Sequence, residues 1–205
     1  TSPIKHSTIL VRVYKKMYVI TKKKWGNNMK ILIKNGMIVS DSETYQADIL
    51  IEDEKVKWIG TDLPKTDVDT VIDAEGKYVI PGAIDVHTHM DIDVGIARAV
   101  DDFYDGTVAA ACGGTTSIVD HMGFGPAGVP LHYQFNEYKK LTEGKAVIDY
   151  GFHGVAQHVD DDIIAELETM AEDGIPSVKA YLTYGFKLND AEILQILKKM
   201  KEIGG

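Results

Sequence analysis

Between Met29 and about residue 80, hydrophobic residues fall in short, β-branched runs broken by turn residues. Lys30 to Ile33 and Met37 to Val39 flank Asn35-Gly36, a strong signal for a two-residue hairpin turn. Asp48 to Ile51 and Val56 to Ile59 flank an Asp-Glu-Lys turn, and Val71 to Asp73 and Lys77 to Val79 flank Ala74-Glu75-Gly76. The pattern predicts three hairpins in a small sheet over residues 29–78, too few strands for comfortable stability alone. After Pro81-Gly82 the period changes. Helical patterns at 102–111, 131–141, 161–172 and from Asn189 onward alternate with strand patterns at 79–87, 115–120, 146–152 and 178–184. Asn189 with Glu192 reads as a capping box, and Ile163, Ile164, Leu167 and Met170 recur at helical spacing.

Residues 79–205 therefore hold four βα units of roughly 30 residues each, the size such units have. A closed barrel needs eight. The fold class read from the pattern is α/β: the N-terminal half of a (β/α)8 barrel, preceded by part of a small β-sandwich. Ile84, Val86, Ile118, Ile148 and Val178 are expected on its barrel-facing side.

Two polar intrusions into buried strands carry the chemistry. Asp85-Val86-His87-Thr88-His89 ends an apolar strand, and alternation points both imidazoles to one face, where they can hold one metal ion. Such a pair alone is weak evidence, since packed or surface histidines are commoner. Lys179 stands in the middle of another apolar strand, where an ammonium must be paired, neutralised or modified unless it reaches water along its own stem. Asp120, His121 and His153 close the strands between them, where barrel active sites are built, with support and plain structure equally open as roles. Asp91 is expected to support the site.

Composition narrows the class. The 205 residues carry a net charge of −9, yet residues 1–28 hold seven Lys/Arg and no acid, leaving 15 basic against 31 acidic groups in the rest. An acidic body speaks against nucleic acid as a partner. No apolar run approaches the roughly 20 residues of a membrane span. One cysteine, Cys112, excludes an intramolecular disulfide and suits a reducing, cytoplasmic setting. The basic leader, residues 1–28, is cut by Arg12 before any signal-like apolar core develops and is read as outside the fold.

With these stretches in view, the sequence after residue 28 resembles the N-terminal half of the hydantoinase/dihydropyrimidinase branch of the metal-dependent amidohydrolases. The likeness is carried by Val79 to His89, by Asp101-Asp102-Phe103 with Ala109 to Thr116, by Asp120 to Pro126, and by Ser177 to Tyr181. It implies two divalent metal ions, zinc being the expected pair, with His87 and His89 on the more buried one. Lys179 would be carboxylated and bridge both, turning a costly cation into an anionic ligand. Tyr184 would donate to the developing oxyanion. The resemblance also implies a cyclic ureide or cyclic amide substrate and a homotetramer. Further histidines and a base aspartate would lie beyond Gly205, so the 205 residues by themselves are expected to be inactive.

The loops after the first and fourth barrel strands offer Ile92, Val94, Tyr181, Phe186 and Leu188, which suits an apolar or aromatic ring substituent. The favoured activity is hydrolysis of 5-substituted hydantoins or dihydropyrimidines to N-carbamoyl amino acids. Two alternatives stand beside it: an allantoinase or dihydroorotase acting on more polar rings, and a non-catalytic scaffold that keeps the fold.

Overall fold

A computed structural model describes residues 29–53 and 55–205, with the backbone of 9–13 and 16–20. The rest of the leader, and Glu54 at the centre of the expected Asp-Glu-Lys turn, lie outside the described residues. Within the leader β1 (Ile9–Val13) and β2 (Lys16–Ile20) pair with each other as an antiparallel ribbon. The described chain divides into two compact units, 9–84 with 109–117 and 85–108 with 118–205. None of its helices is long and apolar enough to cross a membrane.

The first unit is built on a five-stranded sheet. β3 (Lys30–Val39), β4 (Thr44–Glu52), β5 (Lys55–Gly60) and β6 (Thr70–Asp73) are ordered β5-β4-β3-β6, and β7 (Tyr78–Val79) also pairs with β3. The β4–β5 hairpin follows the sequence pattern. The other two expected hairpins do not form. Asn35-Gly36 lies inside β3, which runs through it with a register shift between Ile33 and Gly36. Asn35 takes the positive φ of 61° that marks it as a turn residue, but uses it for a bulge. Its amide donates to Asp48 Oδ1 at 2.8 Å, and Lys34 Nζ pairs with Asp48 Oδ2 at 3.0 Å. A cross-strand carboxylate thus takes the amide that a hairpin turn would have left to solvent.

The bulge also explains why the third expected hairpin does not form. β6 and β7 both run parallel to β3, the first against Ile31 to Lys34 and the second against Met37 and Ile38. They lie end to end along one edge, with Ala74-Glu75-Gly76 as a jog opposite the bulge rather than a reversal. Ala74 N donates to Lys34 O at 2.8 Å and Met37 N to Lys77 O at 2.9 Å across that jog. Ile31, Ile33, Ile38, Ile49, Ile51 and Ile72 form the core of this unit.

The second unit carries most of a parallel half-barrel, ordered β11-β10-β9-β8: β8 (Ala83–Thr88), β9 (Thr115–His121), β10 (Asp149–Ala156) and β11 (Val178–Ala180). α1 (Phe103–Gly113), α2 (Leu131–Thr142), α3 (Asp161–Glu172) and α4 (Asp190–Ile203) alternate with the strands. Asp160 caps α3 through Ile163 N, and Asn189 with Glu192 completes the expected capping box of α4. Phe103, Tyr138 and Phe152 meet edge to face, with ring centroids 6.0–6.3 Å apart.

The expected barrel-facing set is corrected by strand parity. Val86 alternates with His87, Ile118 with His121, and Val178 with Lys179, so these apolar residues occupy the face opposite the histidines. Ile118 is buried there and Ile148 is buried just ahead of β10, while Ile84 and Val86 on the outermost strand stand 64% and 58% exposed.

Entry into β8 depends on a close approach. A Cβ built on Gly82 would run into the Thr116 side chain, whose hydroxyl donates to Ala83 O at 3.3 Å. Gly82→Ala is expected to lower stability by about 1–3 kcal/mol, the usual effect of overpacking. Denaturant unfolding measures it, with Gly151→Ala, where the added methyl meets open space, as the reference.

Candidate metal centre

β8 delivers His87 at its C-terminal end and His89 one residue beyond it. Their Nε2 atoms lie 3.2 Å apart. Two imidazoles on one tetrahedral ion, each bound at about 2.0–2.1 Å, hold their nitrogens roughly 3.3 Å apart. The pair therefore fits the bite of a single ion. His121, ending β9, stands 4.2 Å from His87 between ring centroids, and His153 of β10 stacks on His121 at 4.3 Å. Four imidazoles from three neighbouring strands thus share one face.

They are not equivalent. His153 Nε2 lies 3.0 Å from Val86 O, which can only accept, so Nε2 carries a proton, and Nδ1 lies 2.5 Å from Ser177 Oγ. Both its nitrogens are occupied within the chain. His89 Nδ1 and His121 Nδ1 are buried without a completed hydrogen bond. Burial first, then the charges of Lys179 and His87, lowers the His89 pKa below its usual value, which favours the neutral imidazole a metal requires. Among the described residues no group of three or more His, Cys, Asp and Glu side chains is disposed to hold a metal. The histidine pair has the right donors for an ion but supplies only part of a coordination shell.

Lys179, at the centre of β11, acts electrostatically on both His89 and His121. Its Nζ lies 4.8 Å from the Tyr181 ring centroid, and no carboxylate pairs with it among the described residues. β11 is shorter than expected, ending at Ala180, so Tyr181 and Tyr184 belong to the following loop rather than to the strand. Tyr184 is 76% exposed and has φ 68°, an uncommon conformation for a bulky residue. Its ring meets Tyr181 at 5.9 Å.

Of the expected pocket residues, Tyr181 and Phe186 meet around a residue that sequence reasoning left unassigned. Phe124 lies 4.6 Å from the Tyr181 ring and 4.9 Å from Phe186. Leu188 is buried, and its amide donates to Tyr181 O at 2.8 Å. Ile92 packs against Gly123, next to Phe124. Val94 projects into solvent, 61% exposed. The Phe124 loop is held from below: Tyr138 Oη accepts from Gly123 N at 2.8 Å, Gln134 donates to Gly123 O, and Gln157 clamps Gly125 through both amide atoms. The run Gly123-Phe124-Gly125 was the available signal: an aromatic between glycines at a strand's C-terminal end.

Asp91, expected as support, is 7% exposed; it accepts from Arg98 at 2.8 Å and Phe103 N at 3.3 Å, tying the loop after His89 to the start of α1. Asp120 is fully buried on β9, and burial pushes its carboxyl up to about 6 against hydrogen bonds from Thr88 and Met90. Burial, then the charges of His153 and Lys179, pushes His121 down to about 4.

Their pH signs oppose. An unfolded aspartate releases its proton near 3.8, so folded Asp120 holds it longer, and stability from that proton is lost as pH rises from about 4 to about 6. His121 works the other way, losing stability as pH falls below 6.5 towards about 4. Asp120→Asn removes only the first effect. Relative to the unaltered protein, the metal-free variant is expected to gain on the order of 2 kcal/mol between pH 4 and 6. Urea unfolding at both pH values reads this; parallel profiles would mean that Asp120 is ionised throughout.

No family model matches the chain. A D-phenylhydantoinase of Escherichia coli O1:K1 / APEC is 53% identical over 176 residues, 86% of this chain and 38% of the relative. The crystal structure of dihydropyrimidinase from Brevibacillus agri NCHU1002 superposes with a TM-score of 0.82 at 44% identity, covering 86% of this chain and 39% of that one. A D-hydantoinase (dihydropyrimidinase) from Thermus sp. follows at 0.79 and 36% identity, covering 85% and 38%. The chain thus spans under two fifths of the length of the relatives it matches. In sequence and in the half-barrel that carries the histidine pair, this chain is similar to part of the hydantoinases and dihydropyrimidinases.

Proposed function

We propose that the protein is a metal-dependent cyclic amidohydrolase that opens 5-substituted hydantoins or dihydropyrimidines to N-carbamoyl amino acids. The observation that carries this reading is the 3.2 Å separation of His87 and His89 Nε2 on the strand face that also bears Lys179. Both histidines would hold one of two divalent ions, zinc being the expected metal, and Lys179, carboxylated, would join the two. When bound, the ions supply Lewis acidity to the scissile carbonyl and to water. The chain's own residues supply the rest. Phe124, Tyr181 and Phe186 form an aromatic wall that takes an apolar 5-substituent, excludes water beside it and orients the ring. Tyr184 donates its phenolic proton in a hydrogen bond to the oxygen on which charge develops.

The aromatic wall favours this activity over an allantoinase or dihydroorotase, whose substrates carry polar groups that would go unpaired against it. Turnover of 5-phenylhydantoin, allantoin and dihydroorotate by the intact protein, purified with zinc, tests the assignment. The expected order puts 5-phenylhydantoin first by roughly 10²-fold or more in kcat/KM. A preference for either polar ring would reassign the substrate, and no turnover of any ring by zinc-replete protein would favour a scaffold.

A further inference from the structure

His89 falls just past the end of β8, yet its ring is aimed at His87. What holds it there is a single carboxylate oxygen. Asp120 Oδ2 accepts from Thr88 Oγ1 at 2.7 Å and from Met90 N at 2.9 Å, the residues on either side of His89. No other side chain among the described residues hydrogen-bonds to 88 or 90. We propose that Asp120 is a positioning residue for the metal centre: by gripping the chain on both flanks of His89 it sets the separation of the two imidazole nitrogens. The inference rests on the reading of His87 and His89 as metal ligands and extends it to the residue that aims them.

The chemistry of the grip supports the assignment. Asp120 is 0% exposed, and its second oxygen, Oδ1, has no hydrogen-bond partner. Burying a half-satisfied carboxylate is expensive, and each such group in a folded protein calls for a reason. A structural link between β8 and β9 could be made by the strand ladder itself. What the ladder cannot do is reach beyond Thr88, and that is where the ligand stands. One oxygen taking a hydroxyl and an amide two residues apart fixes the main-chain torsions between them, and those torsions direct the His89 side chain. Neither donor belongs to one of the two imidazoles, so Asp120 acts on them only through the chain around His89.

Two measurements on the intact protein decide it: zinc affinity by calorimetry and the imidazole ¹⁵N–¹H signals of the metal-free form. Asp120→Ala is expected to weaken zinc binding about 10–100-fold, the range for residues that orient a ligand from behind. It is also expected to shift the His87 and His89 imidazole signals while those of His132 and His158 stay in place. Asp120→Asn keeps an oxygen that can accept both donors, and is expected to restore affinity and signals. A merely structural role would move all four histidines together and show no such rescue. Should Asp120→Ala fail to fold, Thr88→Val removes one of the two donors at similar volume and should weaken zinc binding less, with Thr88→Ser restoring it. Unchanged zinc affinity and unchanged His89 signals in Asp120→Ala, or in Thr88→Val where that variant stands in, would overturn the proposal. If zinc binds equally well to His87→Ala, the ligand reading itself fails; the imidazole signals still decide whether Asp120 aims His89.

Discussion

Lys179→Ala in the intact protein should reduce turnover by roughly 10³-fold or more and lower the bound metal, because it removes the group proposed to join both ions. The setting of Lys179 motivates this expectation. Its ammonium lies over the Tyr181 ring, has no carboxylate partner among the described residues, and repels protons from His89 and His121. A cation that opposes further positive charge at two imidazoles is an odd neighbour for metal ligands unless its charge is reversed. Carboxylation reverses it. Short carboxylic acids added to Lys179→Ala should therefore recover part of the activity by standing in for the lost carbamate, whereas added amines should not. Mass spectrometry of the unaltered protein under non-acidic conditions should show the added mass of carbon dioxide. Near-normal turnover with full metal content in Lys179→Ala would remove the bridging role.

The histidine pair was legible because it depends on local physics alone. Strand alternation puts residues two apart on one face, and His87 and His89 obey it even though the ladder ends between them. The α4 cap was legible for a similar reason, since Asn189 and Glu192 satisfy each other's main-chain donors within one turn. Errors arose where one local signal serves two structures. Asn35-Gly36 advertises tolerance of positive φ, which a hairpin and a bulge use equally, and only Asp48, arriving from β4, decides between them. β10 was read as 146–152 but runs from Asp149 to Ala156, because Gly151-Phe152-His153-Gly154 carries little apolar patterning of its own. Its extension comes from pairing, Gly154 to Ala156 lying against Val178 to Ala180.

The site showed the same division. Histidines two apart at a strand end are visible in the sequence, whereas the contacts that hold the chain around them come from other elements. Asp120 reads in the sequence as one more polar strand end; its grip on Thr88 and Met90 is a product of β8 lying beside β9. Phe124 went without a role for a related reason, although the glycines on either side of it mark it. Its rings of contact come from a loop some 60 residues later, and its fixity from Gln134, Tyr138 and Gln157, none of which carries a distinctive pattern. The misplaced barrel face, by contrast, was within reach, since the alternation that paired the histidines also assigns Ile84 and Val86 to the other side.

Tyr184→Phe should lower kcat by roughly 10²–10³-fold with little change in KM, the scale on which one oxyanion donor is lost. The structure sharpens the reason to expect a kcat effect. Tyr184 is 76% exposed, so removing its hydroxyl leaves no buried partner unsatisfied and should not disturb the fold. Its φ of 68° is strained for a tyrosine, and such outliers persist where the surrounding chain holds a side chain in place for use. Its ring rests edge-on against Tyr181, which also faces Phe124, so the proposed proton donor shares a loop with Tyr181 and Phe186 of the proposed wall. A substrate seated on the wall would bring its ring carbonyl to the donor without a separate binding contribution from the hydroxyl, which becomes important only as charge appears on that oxygen. Kinetics with 5-phenylhydantoin separate the alternatives. A large rise in KM with kcat unchanged would make Tyr184 a ground-state contact. An equal loss in Tyr184→Gly, which relieves the backbone but removes the ring as well, would leave the hydroxyl as the part that matters; a much larger loss would assign part of the effect to the ring against Tyr181.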